Sequence, residues 1–189
     1  MKILNIHDYH EDKNNVAFKA LQACEYDIIN LQYDYSLCPS RLFDLIVARF
    51  QRNFCDVVVG TGFGAFFAML IHTKEQVPCV LINPILVPGL VLADIGCPKP
   101  YIFRELHNLE CKYLYDFDER GVATIINSTH PYIDKRLLNY TKELLYNQQY
   151  YEVTDDSEQT ITNMFKQHKT EWFEEACLID FAYATLCLI

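Results

Sequence analysis

Apolar residues along this chain fall into short, β-rich runs separated by stretches with helical spacing. KILNI (2–6) predicts a first strand. NNVAFKALQAC (14–24) predicts a helix that Asn14 is placed to cap, and YDIINLQ (26–32) a second strand. Ser40 stands as a cap before RLFDLIVARF, where apolar positions 42, 43, 45, 46, 47 and 50 make a broad helical face. A third strand, CDVVVG (55–60), leads into the helix GAFFAMLIHTK (64–74), and PCVLINP (78–84) is a fourth strand that proline ends. GVATIINS (121–128) and YYEVT (150–154) read as further strands, with helices over 133–147 and 158–188.

Strands that alternate with helices pair in parallel, and runs as apolar as VVV or CVLI are covered on both faces. Right-handed crossovers then give a single α/β domain over 1–189, a three-layer α/β/α sandwich with a mostly parallel sheet. Ligands of such sheets gather at the carboxyl ends of the strands. The segments that matter are therefore HDYHED (7–12), GTGFG (60–64), NPILVPG (83–89), STHPYID (128–134) and TDDSEQ (154–159). Residues 85–118, rich in Pro, Gly and Tyr, read as an irregular helical excursion over that edge, either a lid or substrate wall or plain surface packing.

Composition narrows the function. A chain of 189 residues, 51% apolar and 22% charged, has material for one sizeable core. Its formal charge of −9, with scattered basic residues, argues against nucleic acid, because counterion release rewards cationic patches. The opening apolar run is too short for a signal peptide, and the C-terminal run ACLIDFAYATLCLI is too short for a membrane span and contains Asp180. A soluble, cytoplasmic protein without a cofactor is the expectation, with no membrane or nucleic-acid partner.

The turn Gly60-Thr61-Gly62-Phe63-Gly64 carries the candidate chemistry. It is open to three readings: a tight turn only, a dinucleotide fingerprint, or a nucleophile elbow. With Ala65 it satisfies G-x-G-x-x-A, but two strand–helix units precede it, and the next strand ends in Asn83-Pro84 rather than in an acidic residue. As an elbow it lacks the serine of G-x-S-x-G.

The passage VVVGTGFGAFFAMLIHTKEQVPCVLINPILVPG resembles the YqiA-like group of small bacterial α/β-hydrolases, esterase-type proteins that write strand, G-S-S-L-G-G-[YF]-[YF]-A, helix, proline-led strand, N-P. Phe66-Phe67, Ala68 and Asn83-Pro84 match that pattern, as does KILNIH at the start. The match is residue-specific over about 1–10 and 55–88. It implies an α/β-hydrolase fold with a Ser-Asp-His triad, and each triad position departs from it. Gly62 stands at the nucleophile and Pro131, in Thr129-His130-Pro131, at the acid, with Asp134 a substitute only in a rearranged loop. Thr154-Asp155-Asp156-Ser157 stands where the base should follow the last strand, and the next histidine is His168. The family's His-Gly becomes His7-Asp8, whose carboxylate would repel an oxyanion if it points inward.

The expectation is a triadless relative, non-catalytic or ligand-binding. Its pocket would take in His7, Asp8, Thr61, Gly62, Phe63 and His130, with Gly60 and Gly64 shaping the elbow. The alternative is a hydrolase with a displaced nucleophile or a metal. His7, Asp8, His10, Glu11 and Asp12 share one loop, which is either a metal-ligand set or a solvated acidic turn that His7 orients. The eight cysteines show no C-x-x-C pair and read as core thiols, with Cys97 and Cys111 in the excursion as displaced-nucleophile candidates without a histidine at a telling spacing. The C-terminal helix, apolar on several sides, is either buried or shared in a homodimer. A small-molecule ligand is the other expected partner.

Overall fold

A computed structural model describes residues 1–9, 11–12, 14–34, 37–94, 99–114, 121–127, 135–145 and 149–175. Six parallel strands form one sheet: β1 (Lys2–Ile6), β2 (Asp27–Asn30), β3 (Val57–Thr61), β4 (Cys79–Ile82), β5 (Val122–Asn127) and β6 (Gln149–Val153), in the order β2-β1-β3-β4-β5-β6. Helices α1 (Val16–Ala23), α2 (Pro39–Asn53), α3 (Phe63–Glu75), α4 (Pro88–Asp94), α5 (Pro100–Tyr113), α6 (Lys135–Leu144) and α7 (Glu158–Gln167) connect or follow the strands. The α/β sandwich expected from the alternating pattern is the fold observed.

Each face of the sheet has its own core, as period-two strands covered on both sides require. Ala17, Ala20 and Leu21 of α1 and Ile161 and Phe165 of α7 pack on Ile3, Val57, Val59, Val80 and Ile125. On the opposite face α2, α3 and α5 pack on Leu4, Ile6, Val58 and Leu81. Helix α3 is buried continuously from Phe63 to His72, which explains why its sequence is apolar all round rather than striped. Phe66, fully buried, meets Phe67 edge-on at 5.4 Å between ring centroids. Burying one such ring is worth about 1.5–3 kcal/mol.

Several local expectations are corrected. Asn15, not Asn14, caps α1, its Oδ1 accepting from the Phe18 N–H at 2.8 Å. Helix α2 begins earlier than Ser40, with Pro39 in its first turn, where the missing N–H costs nothing. Ser40 instead donates its hydroxyl to Glu105 of α5. Leu45, expected on the buried face of α2, is 52% exposed. The helical excursion expected over 85–118 contains α4 and α5, packed on the α2–α3 side, with residues 95–98 and 115–118 outside the described residues. The single helix expected over 158–188 ends at His168 and resumes as a π-helical turn, Thr170–Glu175, that buries Trp172 and Phe173 against Phe165. The rest of that segment, 176–189, lies outside the described residues.

The register sets up a single edge. Ile6 pairs with Gly60, Gly60 with Leu81, and Thr61 with Ile82, so the ends of β1, β3 and β4 lie side by side. Between β1 and β3 the strand order also reverses direction, and at such a switch point the loops splay and leave a crevice.

Candidate functional site

The turn from β3 into α3 is built around Gly62, at φ 56° and ψ −120°. This left-handed region disfavours side chains, so glycine is the residue that adopts it without strain. Backbone bonds fix the turn. The Gly62 N–H donates to Ile82 O at 3.0 Å, and Gly62 O accepts from Ala65 N–H at 3.2 Å and Ile85 N–H at 3.1 Å. Gly64 is needed for proximity: a Cβ there would collide with the carbonyl oxygens of Ile6 and His7. That close approach brings the loop after β1 onto the elbow.

The residue delivered is Asp8, 7% exposed. Its Oδ1 accepts from the Phe63 N–H at 2.8 Å and from the Tyr9 N–H at 2.7 Å. A Cβ placed on Gly62 would overlap Asp8 Cγ and both carboxylate oxygens. The Asp8 carboxylate therefore fills the space a side chain at position 62 would need. It also lies at the N-terminus of α3, where the helix dipole favours negative charge.

A cleft of about 40 Å³ opens beside it, lined by Asp8, Glu11, Val16, Ala17, Thr61, Gly62, Ile82, Asn83 and Asp156. This is room for a few water molecules. Asn83, at φ 48°, ends β4 and binds in two directions. Its Oδ1 accepts from the Asn127 N–H at 2.8 Å, and its Nδ2 donates to Asp156 Oδ2 at 2.7 Å. Asn127 Nδ2 reaches Asp156 Oδ1 at 3.4 Å. Glu11 Oε2 accepts weakly from the Asp8 N–H at 3.4 Å. Desolvation by burial pushes the Glu11 carboxyl above its usual range, and the Asp8 and Asp156 charges push the same way against a hydrogen bond from the backbone.

Of the expected pocket residues, Asp8, Thr61 and Gly62 line the cleft, and Phe63 contributes its backbone N–H. Thr61 Oγ1 is buried there without a hydrogen-bond partner among the described residues. His7 is not a lining residue. Its ring stacks on Tyr33 at 4.3 Å and its Nδ1 meets Asp8 O at 2.7 Å, while Tyr33 donates its hydroxyl to His7 O. His7 thus holds the loop's shape. Gly60 packs the elbow, since a Cβ there would lie 2.6 Å from Ala65 Cα. His10, His130, Pro131, Asp134 and Cys97 lie outside the described residues.

Glu11, named from the sequence only as a possible metal ligand, lines the cleft, while Asn83, Asn127 and Asp156 are not among the expected pocket residues, although the loops carrying Asn83 and Asp156 stand out as following strands. The signal available was the Asn83-Pro84 strand end together with two consecutive aspartates, 155 and 156, after the last strand. Among the described residues no group of three or more His, Cys, Asp or Glu side chains is arranged to hold a metal. Cys55 and Cys79 are buried core thiols, and burial raises the Cys55 thiol to about 11. Cys111, by contrast, is exposed and does have a histidine neighbour, His107 Nε2 at 3.5 Å one helical turn away, but neither residue lines the cleft.

No protein-family model matches the chain, and no curated protein matches it. Solved structures do. Est1E from Butyrivibrio proteoclasticus superposes with a TM-score of 0.65 at 12% identity, covering 90% of this chain and 87% of that one. An α/β-hydrolase enzyme from a sediment metagenome of the Mar Chica lagoon, Morocco, gives 0.56 at 11%, covering 93% and 91%. The chain has the α/β-hydrolase fold. A mutant of polyneuridine aldehyde esterase agrees, with a TM-score of 0.61 at 9% identity over 88% of this chain and 98% of that one. In this fold the N–H after the nucleophile and one from a neighbouring strand-to-helix loop form the oxyanion hole. In this chain the Phe63 N–H, in the turn after β3, and the Tyr9 N–H, in the loop after β1, both point at the Asp8 carboxylate. No helix is long and apolar enough to cross a membrane among the described residues.

Proposed function

We propose that this chain is a non-catalytic, ligand-binding α/β-hydrolase-fold protein related to the YqiA-like esterases, a pseudoenzyme of a bacterial cytoplasm. The observation that carries the reading is the pairing of Gly62 with Asp8. Serine hydrolysis needs a hydroxyl at the elbow and empty donors for the oxyanion. Position 62 of the elbow has no hydroxyl, and the two N–H donors beside it are already bonded to a carboxylate. The place that the resemblance gives to the base carries Asp156, held by Asn83 and Asn127. Its two carboxylate oxygens accept from those amide donors, so the side chain is engaged in holding the ends of β4 and β5 together. What remains is a narrow polar cleft suited to holding a small ligand.

Short-chain p-nitrophenyl esters test this directly. The purified protein is expected to hydrolyse them no faster than background, and Gly62→Ser alone is expected to create no activity. Wild-type turnover that survives a chelator and vanishes in Gly62→Ala would sink the non-catalytic reading in favour of a displaced nucleophile.

A further inference from the structure

The two N–H donors at the elbow form an anion hole that the chain fills by itself. We propose that Asp8 is an internal ligand of that hole. Its carboxylate closes the site to external small carboxylates and acyl oxyanions, and the site reopens when that carboxylate is removed. The inference goes beyond the absence of catalysis, because it concerns what the elbow binds and holds whether or not an ester is turned over.

Occupancy is the first support. Donor–acceptor distances of 2.7 and 2.8 Å to one oxygen are those of charge-assisted bonds, and the carboxylate is almost wholly buried. Mutual exclusion is the second, since a side chain at position 62 and the Asp8 carboxylate claim the same space. The third is that the donors do not depend on Asp8 for their position. Phe63 follows a turn pinned by the Gly62–Ile82 and Ile85–Gly62 backbone bonds. The Tyr9 loop is held by the Glu11 N–H donating to Asp8 O at 3.2 Å and by His7 Nδ1 at the same oxygen. Removing the carboxylate therefore leaves two fixed donors facing an emptied space at a helix N-terminus. Such a space accepts an anion of carboxylate size.

Titration of the ¹⁵N-labelled protein with sodium acetate, at ionic strength held constant with sodium chloride, tests the proposal. In Asp8→Gly the Phe63 and Tyr9 amide resonances are expected to shift and saturate. In the wild type the same resonances should respond at least tenfold more weakly. Asp8→Asn should behave as the wild type, because its carboxamide oxygen still accepts from both donors. Gly62→Ala is the companion variant: its Cβ takes the space of the carboxylate, so the variant should leave the Phe63 and Tyr9 resonances as unresponsive to acetate as in the wild type. Unmoved Phe63 and Tyr9 amides in folded Asp8→Gly, or saturation by acetate in folded Gly62→Ala, would overturn the proposal. So would wild-type protein or Asp8→Asn saturating as readily as Asp8→Gly.

Discussion

Replacing Gly62 by alanine perturbs two things at once, and a double-mutant cycle with Asp8→Gly separates them. The backbone at φ 56° costs a non-glycine residue about 1–3 kcal/mol. The new Cβ also expels the Asp8 carboxylate. That gives up two hydrogen bonds to a charged acceptor, each about 1.5–3 kcal/mol, less the return of a buried carboxylate to water. Taking about 2 kcal/mol as the net loss, Gly62→Ala in the wild-type background should cost about 3–5 kcal/mol. For a chain of this size that lowers Tm by roughly 6–20 °C. Asp8→Gly alone should cost about 2 kcal/mol. In the double variant the Asp8 contribution is lost only once, so its destabilisation should fall short of the sum by about 2 kcal/mol. Urea unfolding of the four proteins, followed by circular dichroism with a shared m-value, measures this. Additivity to within about 0.5 kcal/mol would show that position 62 and the Asp8 carboxylate do not compete for the same space.

Two further perturbations address the acidic side of the cleft. Burial and the neighbouring Asp8 and Asp156 charges raise the folded-state Glu11 carboxyl, so its stabilising, protonated form is fully present below the unfolded value of 4.5 and is lost as pH rises through the folded value. Glu11→Gln should therefore be more stable than the wild type at pH 7, with the advantage closing as pH falls below 4.5. A gap that widens in acid, read by urea unfolding at each pH, would reverse the argument. Asn83→Asp sets a second carboxylate against Asp156 Oδ2 in place of the donor now 2.7 Å away. It should cost about 2–3 kcal/mol at pH 7 and recover in thermal melts below about pH 4.

The fold was legible because its signals are local and repeated. VVVG and CVLI are apolar without alternation, as strands covered on both faces must be, and the strand–helix alternation left parallel pairing as the consistent topology. Errors fell where a local signal lost to a tertiary contact or a neighbouring residue. Ser40 looks like a cap, yet Pro39 is pre-shaped for a first turn, and Glu105 of α5 takes the Ser40 hydroxyl. Asn14 and Asn15 are equivalent as text, and the buried bonds of Asn15 to Asn5 and Phe18 decide between them. The His168 break in the last helix carries no proline or glycine to announce it, and beside it His168 stacks on Trp172 at 4.6 Å.

At the site, the sequence points to a glycine where the resemblance expects a serine, and the structure places the Asp8 carboxylate against it. Gly62 reads as a nucleophile position without its serine, and Asp8, 54 positions away in a different loop, as a pocket carboxylate that would repel an oxyanion if it points inward. Gly64 connects them, because the absence of a Cβ there lets β1 end against the start of α3. Glycine at 62 leaves a void at a helix N-terminus with two N–H donors facing it, and an unfilled pair of buried donors costs free energy. A carboxylate from the neighbouring loop satisfies both donors and complements the helix dipole, but only while position 62 lacks a side chain. The two residues are thus one physical arrangement. A serine introduced at 62 would meet Asp8 before it met any ester, so position 62 gains room for a side chain only if the loop after β1 changes with it.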